Sequence, residues 1–548
     1  MNKYQKHNKI AMTPKLPLFS PTVTIALIVS MGGFLFGFDA SVISGVIGYV
    51  GEEYRLGDWE IGLMVSAPTL GGIIAGSTVG PLSDRFGRRR LLLIIAILYT
   101  ASAIASALAP SITWLVVARF IGGLGFASLG LAPIYIAEIS PAHQRGRMIS
   151  INQLNIVLGF SAAYFCNYFF QQVAQSEAEW VSQLGIDRHT WRWMLGLEII
   201  PALIYVTLLT RVPESPRWLL TQKRCDEAER VLNQLSNGTS VQTQLQEIEN
   251  SSARETAPLL ERLRRVLKPS MRMVLILGLF LAMIQQITGI NAIYFYAPSI
   301  FEQSGIGTDA AFAQAVWVGI INVIFTLIAM ALIDHIGRKP LLLIGLSGIA
   351  LSMLLCAYGF HSASYQLDAA ALAALDPHLQ TALAPLQDQH FANDVDYKQA
   401  LAAQLGATEA RLRHSELIAA AINMNATIAL VAILGFVASF AVSLGPVMWV
   451  MLPEIFPNQL RGVAMAITGF ANSAASFGIQ FFFPWQLTNM GAAWTFLNYG
   501  VFALLGFMVV LWFLPETRNK SLEQLERELA DNAVEENIPQ AVDARTTL

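Results

Sequence analysis

The sequence predicts an all-α polytopic membrane protein with twelve transmembrane helices arranged as two six-helix halves. Of its 548 residues, 54% are hydrophobic and only 13% are charged, and the mean hydropathy is +0.50. A soluble chain carries roughly 25% charged residues. Twelve segments stay apolar over the ~20 residues that a transmembrane helix needs. In addition, charged motifs in the first half of the chain recur in the second half.

The twelve apolar segments define the predicted helices in order. They cover residues 22–46, 62–82, 91–110, 114–137, 148–171, 192–211, 273–298, 312–333, 341–360, 427–452, 463–485 and 493–514. Basic residues follow the second, fourth and eighth segments, whereas the loop after the first segment is acidic. Because cytoplasmic loops carry the excess of Lys and Arg, we expect a multi-pass membrane protein with both termini in the cytoplasm. The N-terminal lysines precede no small-residue cleavage site, which indicates a retained first helix rather than a signal peptide.

Two charged motifs occur twice, at matched places in the two halves. Asp84-Arg85-Phe86-Gly87-Arg88-Arg89 returns as Asp334-His335-Ile336-Gly337-Arg338-Lys339, and Glu138 to Gly146 is echoed by Glu454 to Gly462. The second pair is farther apart in the chain than the first, which places an insert at residues 361–426, between helices nine and ten. Parallel repeats of this kind form transporters whose substrate site lies between the halves, near the membrane midplane.

The repeat and the spans divide the chain into five predicted parts. These are a cytoplasmic N-terminus (1–21), an N-terminal six-helix half (22–212), a cytoplasmic helical linker (213–270), a C-terminal six-helix half (271–514) that contains the insert, and a cytoplasmic tail (515–548). In the linker, Ala228, Val231, Leu232 and Leu235 share one face of an amphipathic helix. The insert is rich in alanine, so we expect extracytoplasmic helices there.

Metal and nucleic-acid sites find no support in the sequence. The histidines of the insert match no metal-binding spacing, and the three cysteines are too few and too scattered for a zinc site or a disulfide framework. The net charge of −3 does not favour a nucleic-acid partner. No Ser/His/Asp set or phosphate-binding loop indicates an enzyme. We therefore expect no metal and no cofactor.

Helix seven contains an uncharged polar stretch inside an apolar segment. Gln285, Gln286, Thr288 and Asn291 lie within a span of hydrophobic and aromatic residues. Polar side chains in hydrocarbon need partners, so they face the protein interior or a water-filled path. Each amide offers both a donor and an acceptor, which suits a neutral ligand with many hydroxyl groups. The alternative is that these side chains only join helices to one another.

Two charges are predicted to be buried within spans, Asp39 in helix one and Arg119 in helix four. An ionisable residue inside a membrane segment is a functional candidate by default. The alternative is a static buried salt bridge. Gly72, Gly76 and Gly80 in helix two have the spacing of a helix-contact motif, and we expect them to pack against another helix.

Taken together, the motifs resemble those of a known family. They are Gly37-Phe38-Asp39 with Val42-Ile43-Ser44-Gly45, Asp84 to Arg89, Pro213-Glu214-Ser215-Pro216-Arg217, Gln285-Gln286 with Asn291, and Gly445-Pro446 with Trp449. In this combination the chain resembles the sugar porter family of the major facilitator superfamily, and in particular its bacterial proton-coupled xylose and hexose symporters. The resemblance covers nearly everything from helix one to Arg518. It implies the major facilitator fold and transport of a monosaccharide with protons across the lipid bilayer of the cell (inner) membrane, by a protein that functions as a monomer.

The resemblance also implies roles for particular residues. The sugar site would comprise Phe36, Gln153, Gln285, Gln286, Asn291, Asn322, Gly445, Trp449 and Asn472. Trp449 would offer a flat apolar face and an N–H donor, although ordinary helix packing is an alternative. Three positions depart from the family pattern, namely Phe160, Phe295 and Ser473. These departures leave the choice between pentose and hexose open.

The charged residues have implied roles as well. Asp39 and Arg119 would form the proton-coupling pair. A charge network at the cytoplasmic helix ends would stabilise the outward-open state through Asp84, Arg85, Arg88, Glu138, Arg145, Glu214, Asp334, Arg338, Glu454, Arg461 and Glu516. These charges could instead act only as topology signals. A passive sugar uniporter and a non-transporting sugar sensor remain as alternative functions.

Overall fold

The computed structural model describes residues 20–141, 144–235, 259–457 and 460–518, except for the side chains at positions 259, 260, 270 and 334. Most of the N-terminus (1–21) and of the tail (515–548) therefore lies outside the described residues. Within them, twelve helices are long and apolar enough to cross a membrane, which confirms the predicted spans. Eight are continuous: α1 (Pro21–Tyr54), α2 (Asp58–Phe86), α3 (Arg88–Ala107), α5 (Arg145–Ala174), α8 (Thr308–Ile336), α9 (Arg338–His361), α11 (Arg461–Asn489) and α12 (Gly491–Phe513).

The other four membrane helices are each built from two helical segments. They are α4 (Ile112–Leu124 and Ser128–Ile139), α6 (Thr190–Gly196 and Ile199–Leu209), α7 (Pro269–Ile287 and Ile290–Glu302) and α10 (Ala426–Val442 and Leu444–Ile455). In α7 the break falls at Gly289, whose φ of 95° is left-handed. A residue with a Cβ avoids that region, so glycine is the natural choice there. In α10 the break falls at Ser443 (φ −130°, ψ −97°).

Local sequence explains several helix ends. Ser20 caps α1, with its hydroxyl accepting a hydrogen bond from the Val23 backbone N–H at 3.3 Å, and Pro21 supplies the first helical position. Gly87 and Gly337 separate α2 from α3 and α8 from α9, with φ of 91° and 104°. The two halves therefore use the same glycine turn at matched places, as the sequence repeat predicts.

The linker segment packs against the first half through an amphipathic helix. This linker helix, Cys225–Leu235, buries the predicted face of Ala228, Val231, Leu232 and Leu235, in one core with residues of the membrane helices. A second helix, Pro216–Thr221, precedes it, and Leu259–Val266 follows the undescribed part of the linker. We call the end of the bundle that carries these helices the linker end, and the opposite end the insert end.

The insert between α9 and α10 forms a small folded unit at the insert end. It contains the helices Ala369–Ala373, Pro377–Leu383, Asp394–Leu405, Ala407–Leu412 and His414–Ala421. It also contains a three-stranded antiparallel sheet in the order β2-β1-β3, formed by β1 (Ser364–Gln366), β2 (His390–Phe391) and β3 (Ile422–Asn423). The sequence of the insert predicts helices and no strands. Strands of two or three residues are too short to produce a detectable alternation of polar and apolar residues.

The insert has its own hydrophobic core and is tied to the second half. Tyr365 and Tyr397 stack at 5.5 Å between ring centroids inside this core. The Asp394 carboxylate accepts a hydrogen bond from the first turn of α12, at the backbone N–H of Ala492 (3.2 Å). Lys398 Nζ donates to the backbone oxygen of Leu487 at 3.0 Å. These contacts fix the insert to the ends of α11 and α12.

Candidate functional site

The polar side chains of α7 meet those of α11 in one group, which we call the amide cluster: Gln285, Gln286, Asn291, Asn472 and Ser476. All but the half-buried Asn291 are buried. Gln286 Nε2 donates to Gln285 Oε1 (3.1 Å) and to Asn472 Oδ1 (3.2 Å). Asn472 Nδ2 donates to Gln285 Oε1 at 2.8 Å. Asn291 Nδ2 donates to Gln286 Oε1 (2.7 Å) and to Ser476 Oγ (2.6 Å). Four predicted site residues thus lie together, and Ser476 joins them.

The breaks in α7 and α10 shape this cluster. Gly289 lies against the ring of Tyr499, and a Cβ built there would sit 2.6 Å from that ring. The break lets Asn291, at the start of the second segment, reach back to Gln286. At the α10 break, Gln285 Nε2 donates to the backbone oxygens of Leu444 (2.9 Å) and Gly445 (3.4 Å). Gly445 therefore contacts the cluster through its backbone oxygen.

The remaining predicted sugar-site residues lie on other helices and are not bonded to the cluster among the described side chains. Gln153 is half-buried on α5, Asn322 is buried on α8, and Trp449 on α10 is 45% exposed. Among the described side chains, none of these three forms a hydrogen bond with the cluster. Phe36 on α1 packs edge to face on Phe160, with 6.2 Å between ring centroids.

Phe160 continues this aromatic contact from the first half into the second. Its ring lies 4.8 Å from that of Tyr294 on α7, measured between centroids. Because Phe160 is buried and apolar, it contributes packing and no hydrogen bond to this contact between the halves.

The predicted coupling pair is formed in the core of the first half. Arg119 Nη1 lies 3.2 Å from Asp39 Oδ1, and both side chains are almost fully buried. The guanidinium also donates to the backbone oxygens of Asp39 (3.4 Å) and Met64 (3.3 Å). Asp39 Oδ2 is buried and has no hydrogen-bond partner among the described residues. One carboxylate oxygen is therefore held by the arginine and the other is left unsatisfied, which is costly in a buried charge.

A second buried carboxylate, Glu198, was missed in the sequence analysis. It lies at the junction of the two segments of α6, is 3% exposed, and interacts electrostatically with both Asp39 and Arg119. The sequence does contain a sign of this residue, because Glu198 is an ionisable residue inside an apolar span. Glu198 thus lies within electrostatic range of the ion pair of Asp39 and Arg119.

At the insert end the two halves are in contact, and we call this contact zone the insert-side gate. Thr69 on α2 donates to Gln480 on α11 (2.9 Å), and Tyr164 on α5 donates to the backbone oxygen of Tyr294 (2.6 Å). Asp309 accepts hydrogen bonds from two glutamines near the end of α5. Among the described side chains, every hydrogen bond and ion pair between the halves lies toward this end.

Apolar contacts and the insert complete the gate. Trp59 on α2 contacts Phe481, Phe482 and Trp485 of α11, with ring centroids 5.4–6.1 Å apart. The insert also reaches the first half, because Arg411 forms an ion pair with Asp58 at 3.5 Å. The structure therefore represents a conformation that is closed at the insert end.

At the linker end, the described charges of the predicted network lie in two clusters, one within each half. In the first half, Arg88 pairs with Asp84 (3.0 Å) and with Glu138 (3.1 Å), and Glu214 accepts from the backbone N–H groups of Arg88 and Arg89. Arg145 donates to the backbone oxygen of Ala137, and Arg85 lies over the ring of Phe86.

The second half repeats this arrangement. Arg338 pairs with Glu454 at 3.1 Å, and Glu516 accepts from the backbone N–H groups of Arg338 and Lys339, both at 3.1 Å. Arg461 begins α11, and its buried Nε has no partner among the described residues. The side chain of Asp334 lies outside the described ones.

Contrary to the sequence prediction, the three glycines of the α2 motif do not all pack against another helix. A Cβ at Gly72 would contact Phe126, but one at Gly76 or Gly80 would meet no atom within 4 Å. Toward the linker end these glycines therefore face open space. The expected packing at Gly76 and Gly80 is wrong for this conformation, because the contacts between the halves lie toward the other end.

Comparison with known proteins identifies the family. The family model for sugar (and other) transporters matches residues 25–374 and 407–529. The chain belongs to this family, the sugar porters of the major facilitator superfamily. The unmatched residues 375–406 lie within the insert. Family and fold identify a multi-pass membrane transporter rather than an enzyme.

Individual relatives agree with this assignment. The transporter is 36% identical over 506 residues to the arabinose-proton symporter of Bacillus subtilis, covering 92% of this chain and 94% of the relative. It is 32% identical to the glucose transporter GlcP of Staphylococcus epidermidis, covering 92% and 97%. Its structure is similar to that of the E. coli xylose transporter XylE in an inward-open conformation, with a TM-score of 0.70 and 30% identity over 92% of this chain and 99% of that one.

Proposed function

We propose that this transporter imports a monosaccharide, a pentose or a hexose, in symport with protons by alternating access. The observation that carries the proposal is the buried ion pair of Asp39 and Arg119. The amide cluster itself is uncharged, so this ion pair supplies the titratable group. A titratable group inside the membrane is costly, and it is expected where a proton pathway needs it. The similarity to an arabinose-proton symporter supports both the sugar and the proton.

Sugar recognition rests on the amide cluster and the side chains around it. The amides of Gln285, Gln286, Asn291 and Asn472 can each donate to and accept from sugar hydroxyls. Gln153 and Asn322 add amides from α5 and α8, and the exposed ring of Trp449 adds an apolar face for the C–H side of the sugar.

Proton coupling rests on Asp39, Arg119 and Glu198. When Asp39 is charged, it pairs with Arg119 and holds α1 against α4. Protonation of Asp39 removes its charge and weakens that pair, so the relative energies of the two access states change. Glu198 supplies a second carboxylate with which the guanidinium can interact when Asp39 is neutral.

The proposed orientation places the linker end in the cytoplasm and the insert outside the inner membrane. The conformation described here is then closed to the outside. In the outward-open state, the two clusters around Arg88 and Arg338 would meet and form the interdomain network that the family resemblance implies. The protein would function as a monomer, because each chain contains both halves of the proposed pathway.

Uptake into proteoliposomes tests this proposal. With an acidic exterior, we expect accumulation of at least one of D-xylose, L-arabinose and D-glucose, and an uncoupler should abolish it. Asp39→Asn keeps the shape of the side chain and loses the titratable proton, so it should lose accumulation but retain sugar exchange. The exposed Asp187→Asn serves as a control and should accumulate sugar normally. If Asp39→Asn still accumulates sugar, Asp39 is not the coupling group. If the uncoupler does not change uptake by the wild type, the protein is a uniporter.

A further inference from the structure

A chain of hydrogen bonds runs from the amide cluster to the other half of the protein. Asn291 Nδ2 donates to Ser476 Oγ at 2.6 Å, and Gln480 Nε2 donates to the same oxygen at 2.8 Å. Thr69 Oγ1, on α2, then donates to Gln480 Oε1 at 2.9 Å. We call this chain the relay. It joins the proposed sugar site directly to the insert-side gate.

Gln480 is held so that its amide has little freedom. Its side chain is 1% exposed, and both ends of the amide are used by the relay. The backbone at Gln480 is fixed separately, since the Tyr296 hydroxyl donates to its carbonyl oxygen at 2.8 Å. The side chain can therefore be changed without removing this backbone anchor.

The bond between Thr69 and Gln480 depends on the conformation of the transporter. Thr69 belongs to the first half and Gln480 to the second, so the bond exists only while α2 and α11 are together. When the gate opens, Gln480 Oε1 loses this donor and needs water instead. A contact that is present in one state only shifts the equilibrium toward that state.

Ser476 connects this contact to the sugar. Its oxygen already accepts from Asn291 and from Gln480, so its own hydroxyl proton points to another acceptor. A sugar hydroxyl that accepts a hydrogen bond from this serine would hold the serine hydroxyl in one orientation. The two amides that donate to the serine would then be held in place as well. Hydrogen-bonded groups in such a series strengthen one another.

We propose that Gln480 is a positioning residue that couples sugar occupancy to closure of the insert-side gate, through Ser476 on one side and Thr69 on the other. The inference rests on the proposed sugar site, and adds to it the means by which binding favours one access state.

Thr69→Val is the most selective perturbation, because it removes the hydroxyl and keeps the shape of a partly buried side chain. Gln480→Met removes the same bond from the other half, together with the bond that Gln480 donates to Ser476. Thr69→Ser keeps the hydroxyl and should behave as wild type. Thr78→Val is the matched control, since Thr78 lies on the same helix and its hydroxyl bonds only within α2.

Gate closure can be measured on the full-length, reconstituted protein. Spin labels at Glu52→Cys and Asn489→Cys, both exposed at the insert end, report the distance between the halves in a Cys225→Ser background. The ratio of closed to open protein is measured without sugar and with saturating D-xylose, L-arabinose or D-glucose. We expect sugar to raise this ratio in the wild type. In Thr69→Val the sugar-induced rise should shrink by about 2- to 10-fold, the range of one net hydrogen bond. In Gln480→Met it should shrink at least as much, and adding Thr69→Val to Gln480→Met should cause no further loss.

The outcomes separate the relay from the proposed function. If Thr69→Val lowers the closed-to-open ratio equally with and without sugar, the bond is a simple structural contact and the relay is refuted. It is refuted equally if Thr69→Val and Thr78→Val behave alike. If the wild type takes up none of the three sugars, the proposed substrate class fails. The sugar-free ratios then still decide whether the bond between Thr69 and Gln480 stabilises the closed gate.

Discussion

Gly289→Ala tests whether the break in α7 is what assembles the amide cluster. Gly289 has a φ of 95°, and a Cβ there would lie 2.6 Å from the ring of Tyr499. The left-handed backbone costs a non-glycine residue roughly 1–2 kcal/mol, and an overpacked side chain costs about 1–3 kcal/mol. The expected total is thus on the order of 2–5 kcal/mol. The chain can relieve this strain only by shifting Tyr499 or by changing the direction of the second segment of α7, which carries Asn291.

We therefore expect Gly289→Ala to lower both the melting temperature of the purified protein and its sugar affinity. Thermal unfolding in detergent and equilibrium binding of labelled D-xylose or D-glucose would measure the two effects. Gly76→Ala is the matched control, because Gly76 is helical with no atom near its missing Cβ. That substitution should be neutral or stabilise the helix by about 0.5–1 kcal/mol. If Gly289→Ala melts and binds like the wild type, the break does not position Asn291 and our account of the cluster is wrong.

Two further predictions concern the cluster and the insert. Gln286→Ala should weaken sugar binding by about 1–3 kcal/mol, because it leaves buried partners such as Asn472 unpaired; calorimetry that finds unchanged affinity would demote the cluster to helix packing. In the insert, burial and the nearby charges of Lys398 and Arg411 lower the pKa of His414 to about 3, and Gln303 is hydrogen-bonded to its ring. The folded pKa is below the unfolded value of about 6.5, so this contribution to stability is complete above pH ~6.5 and is lost as the pH falls toward 3. The ring is only half-buried, so we expect a loss of about 1 kcal/mol by pH 5, seen as faster hydrogen exchange in the insert helices. His414→Gln should remove this pH dependence, whereas the exposed His378→Gln should not.

Much of the fold could be predicted because hydrophobic spans and repeated charged motifs are local signals. The twelve helices follow from segment length and composition, and the matched glycine turns follow from the repeat. The strands of the insert could not be found, because their two or three residues acquire a pattern only when paired in three dimensions.

The residues of the candidate site could be predicted better than the hydrogen bonds between them. The sequence indicates that Gln285, Gln286, Asn291 and Asn472 are buried amides, but not which atoms bond. Ser476 and Gln480 follow Asn472 at intervals of four residues, so all three share one face of α11; this regularity was the available sign of the relay. The sequence does not indicate whether the charges of the linker end join across the halves; the described ones lie in two clusters, one within each half.

The matched turns at Gly87 and Gly337 have a consequence for how the transporter moves. In each half, one glutamate, Glu214 or Glu516, lies against the turn and binds the backbone at the start of the following helix. Each half thereby carries its own internal clasp, which joins three chain segments and need not open during a cycle. A change of access can then proceed as the relative rotation of two rigid bodies. Substitutions of Glu214 or Glu516 are expected to make one half less rigid. This defect differs from weakened sugar binding and from lost proton coupling.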